Sequence, residues 1–205
     1  MITKAEYLLN PCGTLSIPYW KNKTIKIPSN IAIIHQNNFK NQFDNYKIFF
    51  RLFHSLETVD IPKIKVEKID LDTDKITLIK MINMCYKNQN ILVAENDILK
   101  WCNHLTYNSE LWIKIEENET MIASGIAEYD NELNEGIIEW IQVLPEYQNK
   151  GYGKTIVNSL LMELKKLGAN FVTVSGDLDN STNPEKLYRS CGFTGDDIWF
   201  ICTVD

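Results

Sequence analysis

The sequence predicts a mixed α/β domain of the α+β kind, in which strands follow one another with helices set between them. Three observations carry this. From about residue 63 the apolar positions switch between a period of two and a period of three to four. Polar, turn-forming clusters separate two consecutive β-hairpin patterns. Ile137 to Leu167 then reads as strand, glycine loop and long amphipathic helix.

Pro11, Pro18, Pro28 and Pro62 punctuate short apolar stretches such as Ile31 to Ile34. Tyr46 to Phe53 is aromatic-rich and short, which reads as a strand. Residues 1–62 are accordingly read as an N-terminal extension and residues 63–205 as the main domain. Lys63 to Ile69 alternates and is expected as that domain's first strand. Asp72-Thr73-Asp74 offers N-cap residues for a helix carrying Ile76, Ile79, Ile82 and Met84. A shorter helix is expected over Glu95 to Leu105. Leu111 to Ile115 and Met121 to Ala127 flank the polar turn Glu116 to Glu119, a hairpin signal. Asn131 to Gly136 is a further turn before the apolar strand Ile137 to Leu144. The helix after the glycine loop places Ile156, Leu160, Leu164 and Leu167 on one stripe, and Gly168 stands where a C-terminal cap is expected. A strand over Asn170 to Ser175 follows.

The chain has 205 residues, 44% apolar and 23% charged, the balance of a folded protein rather than a disordered one. No apolar run is long enough to span a membrane, and the first ten residues lack the apolar core of a secretory signal. A cytoplasmic address is the expectation. The net charge is −6, and only Arg51 and Arg189 are arginines among 21 basic residues, so no basic stripe marks a nucleic-acid binder. Five scattered cysteines, none in a CxxC pair or near a histidine at ligand spacing, argue against a disulfide framework and against zinc. His35, His54 and His104 show no recognisable partner in the sequence and read as structural or surface residues.

Two glycines at a helix entrance are costly if they are helical. They make sense where a ligand must approach the backbone. A helix N-terminus offers unpaired N–H groups and a partial positive charge, which suits a phosphate or pyrophosphate. Lys150 and Lys154 add charge at this mouth. The ending Gly153-Lys154-Thr155 resembles the close of a P-loop, and Phe171 to Asp177 has the form of a strand ending in a magnesium-binding aspartate. However, the opening glycine of a P-loop falls on Gln148, and too little chain follows Lys154 for a nucleoside-triphosphatase core.

Gln148-Asn149-Lys150-Gly151-Tyr152-Gly153 instead resembles the Q/R-x-x-G-x-G/A signature of the GCN5-related N-acetyltransferase (GNAT) family. The segment Asn183-Pro184-Glu185-Lys186-Leu187-Tyr188, closed by Gly192-Phe193, resembles the family's second cofactor segment. The resemblance is strong from about residue 111 onward, weaker from 63, and absent before it. It implies the acyl-CoA acyltransferase fold, a mixed and mostly antiparallel sheet flanked by helices, with one parallel pair split at the cofactor cleft. It also implies acetyl-CoA as donor co-substrate, with no metal. By the same resemblance, Gln148, Asn149, Lys150, Gly151, Tyr152 and Gly153, with Lys154 and Thr155 in the first helical turn, hold the pyrophosphate. Val143 and Leu144 face the pantetheine arm, and backbone N–H groups near them would polarise the thioester carbonyl. Asn183 contacts the cofactor, and a helix N-cap is its structural alternative. Tyr188 protonates the departing thiolate; the alternative is a packed aromatic.

Glu139 is the expected general base, a carboxylate in an otherwise apolar strand. Alternation puts it on the face of Ile137, Ile141 and Val143. Family members that use a strand glutamate often carry it two residues earlier, at the position of Ile137. A salt-bridged strand carboxylate is the competing reading of Glu139, and Glu128 is held in reserve. The expected reaction is direct acetyl transfer to a primary amine in a ternary complex, the acceptor being a small molecule or a peptide. A non-catalytic acyl-CoA sensor or assembly module is the alternative. The extension either caps the acceptor site or forms a homodimer contact.

Overall fold

The computed structural model describes residues 2–40 and 42–204. The chain forms two compact units, one made of residues 1–55 with 173–205 and the other of residues 56–172.

In the first unit, three short helices, α1 (Lys4–Leu9), α2 (Pro11–Thr14) and α3 (Tyr19–Thr24), precede the strands β1 (Ile31–His35) and β2 (Tyr46–His54). The chain returns with β7 (Phe171–Asp177), which starts at the end of the other unit, then α7 (Pro184–Ser190) and β8 (Thr194–Thr203). The strand order is β1-β8-β2-β7, with β8 antiparallel to both β1 and β2. Four elements of this unit, α1 to α3 and β8, stand beyond the sequence expectations. Helices α1 and α2 are fixed by caps: Thr3 and Glu6 form a reciprocal capping box, and the Asn10 side chain accepts from the Gly13 N–H. Strand β8 begins with polar residues and shows its apolar character only from Ile198 onward.

As an interior strand, β2 is buried on both faces, with Phe50, Arg51 and Leu52 at or below 1% exposure. The two Nη atoms of Arg51 donate hydrogen bonds to Tyr7 Oη (2.9 Å), Thr173 Oγ1 (3.2 Å) and Ser175 Oγ (3.1 Å). A buried guanidinium persists only with such partners. The indole of Trp199 donates to the Cys12 carbonyl at 2.8 Å, tying α2 to β8.

The second unit orders its strands β6-β5-β4-β3, where β3 is Glu67–Lys68, β4 Trp112–Glu117, β5 Thr120–Asp130 and β6 Glu135–Val143. All three pairings are antiparallel. The expected strand over Lys63 to Ile69 shrinks to Glu67–Lys68, because only these residues find ladder partners, Lys114 and Ile113. The β4–β5 hairpin closes on Asn118 and Glu119, both at positive φ, a two-residue turn whose twist matches the strands.

Helices α4 (Lys75–Cys85) and α5 (Glu95–Cys102) cover one face of this sheet, and α6 (Tyr152–Lys166) covers the other. Alternation along β5 shows the division: Ile126 joins Leu78, Ile82 and Ile98, while Gly125 lies under Ile156 and Leu160 of α6. The buried stripe of α4 is Leu78, Met81 and Ile82; the expected Ile76 and Met84 are exposed. Asp74, the expected cap of α4, makes no side-chain cap bond. Instead it accepts from the Asp70 N–H and pairs with Lys114 Nζ at 2.8 Å.

Lys114 is 10% exposed and also meets Glu116 at 2.7 Å. Burial pushes the Lys114 ammonium toward deprotonation, but its hydrogen bonds to Asp74 and Glu116 prevail and raise its pKa. The folded state therefore holds the proton more tightly than the unfolded chain. This contribution is complete below the ordinary lysine pKa of about 10.4 and is lost as pH rises through the raised folded value. Thermal melts of wild type and Lys114→Met should differ by about 3 kcal/mol near neutrality, and the gap should narrow in strongly alkaline buffer.

Candidate active site

Strand β6 is irregular at one point. Ile126 pairs with Trp140 and Ala127 with Ile138, so Glu139 is the extra residue of a β-bulge and has no partner on β5. The bulge reverses the alternation. Ile137 and Trp140 share a face, opposite Glu128 and Ile126, whereas Ile138, Ile141 and Val143 share the other. Glu139 therefore does not belong to one face with Ile137, Ile141 and Val143, as plain alternation would have it. A bulge leaves no mark in composition, and the run Ile137-Ile138 reads equally well in either phase.

At the end of β6, the Leu144 N–H donates to the Ile122 carbonyl at 3.0 Å. In an antiparallel ladder the hydrogen-bonded and non-bonded pairs alternate, so the N–H and C=O of Val143 point away from β5. The Val143 carbonyl accepts from Gln148 Nε2 at 3.2 Å and from Cys85 Sγ at 3.6 Å. Among the N–H groups near the expected thioester position, that of Leu144 is committed to β5, whereas that of Val143 is turned away from it. The Leu144 side chain is buried with Met81 and Met121.

The chain then makes a single turn over Pro145–Tyr147, passes through Asn149 at φ 60° and Gly151 at φ 89°, and enters α6. Gly151 is the N-cap and provides no side-chain cap. The first helical bond runs from Thr155 N–H to the Gly151 carbonyl, so the N–H groups of Tyr152, Gly153 and Lys154 have no partner inside the helix. A Cβ placed on Gly151 would meet no atom within 4 Å, so the space over this turn is open.

The side chains around the turn engage one another. Lys150 Nζ lies 5.0 Å from the centre of the Tyr147 ring, and Lys154 Nζ lies 2.9 Å from Asp60 Oδ2. Asp60 is 69% exposed, and a pair so open to solvent is readily exchanged for another anion. The Tyr152 hydroxyl donates to the Glu117 carboxylate, which raises the pKa of the phenol. Burial pushes the Cys85 thiol up to about 11 and makes it a poor nucleophile.

The remaining expected residues lie in the first unit. Asn183 sits at φ 49° and accepts from the Lys186 N–H at 3.3 Å, with Pro184 in the first helical position of α7. Its side chain is thus the N-cap. Tyr188 is 6% exposed and packs edge-on against Phe193, with Phe50 also adjacent.

The histidines do have partners, at sequence separations no local pattern displays. His35 Nε2 is 3.0 Å from Asp197 Oδ1, His54 Nε2 meets the Cys191 carbonyl at 3.1 Å, and His104 Nδ1 is 3.3 Å from Glu128 Oε1. Among the described residues, no group of three or more His, Cys, Asp or Glu is placed to hold a metal ion. No helix among them is long and apolar enough to cross a membrane.

Comparison with known proteins places this arrangement. Over 86 residues the chain is 33% identical to the [ribosomal protein bS18]-alanine N-acetyltransferase of Haemophilus influenzae, a match covering 42% of this chain and 56% of that protein. The chain thus spans little more than half the length of that relative. The fold is similar to that of a GCN5-related N-acetyltransferase from Sphaerobacter thermophilus, with a TM-score of 0.70 at 12% identity over 88% of this chain and 62% of that one. It is also similar to the ribosomal-protein-S18-alanine N-acetyltransferase of Escherichia coli, with a TM-score of 0.53 at 20% identity over 68% and 92% of the two chains. Residues 77–193, more than half of the sequence, match the family described as Acetyltransferase (GNAT), and the chain belongs to that family.

Proposed function

We propose that the chain is an acetyl-CoA-dependent N-acetyltransferase that moves the acetyl group to a primary amine by direct attack in a ternary complex. The observation that carries this reading is the entrance of α6, where three successive N–H groups lie beyond the helix's own bonding, next to a glycine turn with open space over it. Such a terminus suits a diphosphate. Gln148 to Gly153 would hold that group, with Lys154 and Thr155 in the first turn, and Asn183 is proposed as a further contact. Val143, whose backbone is turned away from β5, and Leu144 would lie along the donor's arm.

When bound, acetyl-CoA supplies a thioester carbonyl carbon as the electrophile. The Val143 N–H would stabilise charge developing on the carbonyl oxygen. Tyr188 is proposed to give a proton to the departing sulfur, and Glu139 to take one from the amine. The similarity to an enzyme that acts on a ribosomal protein's alanine supports a peptide α-amine as the acceptor class. The cytoplasm, where acetyl-CoA is used, is the compartment this reading implies.

Calorimetric titration tests the first step. The purified chain should bind acetyl-CoA and not ATP–magnesium, and should then release thiol with a peptide that begins with alanine. Binding of ATP instead would overturn the reading. Binding of acetyl-CoA without turnover on peptide, polyamine or aminoglycoside acceptors would favour the non-catalytic sensor.

A further inference from the structure

The proton carried by the acceptor amine needs a destination, and the second unit contains a pair suited to it. Glu128 lies on β5 directly opposite Ile137, on the face of Ile126 and Trp140 that looks toward α4 and α5. This is the face opposite α6, whose N-terminus is the proposed donor site. The Glu128 side chain is 10% exposed, and its Oε1 meets Nδ1 of His104, whose side chain is 32% exposed.

His104 is held in place from two sides. Its own N–H bonds the Trp101 carbonyl at the end of α5, and the following turn is pinned to β5 by the bond from Tyr129 N–H to the Thr106 carbonyl at 2.9 Å. The resulting order is a buried carboxylate, an imidazole oriented through Nδ1, and a ring that reaches solvent. A carboxylate bonded to Nδ1 fixes the tautomer with its lone pair on Nε2 and stabilises the imidazolium once formed. Histidine, with an ordinary pKa of about 6.5, is also better matched to accepting a proton near neutrality than a carboxylate of about 4.3.

We propose that the His104–Glu128 pair, rather than Glu139 alone, accepts the proton of the acceptor amine, with His104 as the catalytic residue and Glu128 as its positioning residue. The proposal rests on the acetyltransferase reading above. An ammonium carries three protons on nitrogen and the amide product carries one. Of the two lost, one passes to His104 Nε2 and on to solvent. The other is taken by Glu139 and offsets the proton that Tyr188 gives to the sulfur. The freed lone pair forms the C–N bond as the C–S bond breaks, so no oxidant or further reactant is needed.

The test uses the full chain, acetyl-CoA and an alanine-initiated peptide, with spermidine as a second acceptor. His104→Ala should lower kcat by about a hundredfold or more, leave the calorimetric affinity for acetyl-CoA unchanged, and regain activity when imidazole is added. Glu128→Gln should lower kcat less, with no rescue by imidazole. His104→Gln, closer in size, controls for folding and should lose activity with an unchanged melting temperature. Wild-type turnover in His104→Ala and His104→Gln would overturn the proposal and leave the acetyltransferase reading intact. A loss that imidazole does not restore, alongside an inactive Glu139→Gln, would overturn it in favour of Glu139. Absence of thiol release from the wild type with every acceptor would overturn both.

Discussion

Tyr188→Phe is expected to reduce thiol release by two to four orders of magnitude while acetyl-CoA still binds with its wild-type affinity. A phenol of ordinary pKa about 10 can lend a proton to a forming thiolate near neutrality, and general acid catalysis of this kind contributes about 10²–10⁴-fold. Removing only the hydroxyl leaves the ring in its place against Phe193 and Phe50, so packing of α7 on its own unit is kept. The check is single-turnover kinetics beside calorimetry. A matching loss of affinity and rate would assign Tyr188 to binding. Unchanged turnover would mean that the buried ring serves packing alone, the structural reading already compatible with its 6% exposure.

Gly125→Val is expected to carry the largest cost in stability. A Cβ at this position would lie 2.3 Å from Ile156 Cγ2, 3.0 Å from Leu160 Cδ1 and 3.3 Å from Ile141 Cδ1. Ile156 and Leu160 are fully buried in the face of α6 that packs on the sheet, so neither can swing into solvent. The helix would have to move off β5. Overpacking of this kind costs roughly 3 kcal/mol, which for a chain of this size lowers the melting temperature by about 6–12 °C. Because α6 also presents the proposed diphosphate site, acetyl-CoA affinity should weaken in the same variant. A melt within about 2 °C of wild type would show that the helix relaxes without strain.

The parts of the molecule legible in its sequence are those where one residue type answers one conformational demand. Gly151 and Gly168 both stand at positive φ at the two ends of α6, where turn and cap were read. The hairpin around Asn118 and the strand at Tyr46 declare themselves through turn polarity and aromatic density. The bulge at Glu139 does not, since its neighbours are apolar in both registers. The contact between His104 and Glu128 spans 24 residues, and that between His35 and Asp197 spans 162, so neither could appear as a motif. The exposure of Ile76 and Met84 follows from which side of α4 meets the sheet, a choice made by Leu78, Met81 and Ile82 together. Around the proposed site, the turn into α6 is legible because its left-handed backbone at Gly151 needs glycine. The contact of His104 with Glu128 is not, because it depends on how α5 and β5 come together.

The placement of β8 between β1 and β2 has a consequence for how the protein is born. A ribosome delivers β1 and β2 within the first 54 residues, yet the strand that joins them begins only at Thr194. Until Thr194 has been made both strands therefore carry unmatched hydrogen-bonding edges, and β2 carries the apolar run Ile48-Phe49-Phe50 as well. The unit formed by residues 56–172 is continuous and can close while its partner is still waiting for its last strand. Pairings of such long sequence separation form slowly. The nascent chain thus has a vulnerable interval, in which the early strands are open to aggregation or to chaperones. Stalling or truncation ahead of Thr194 would leave that interval permanent.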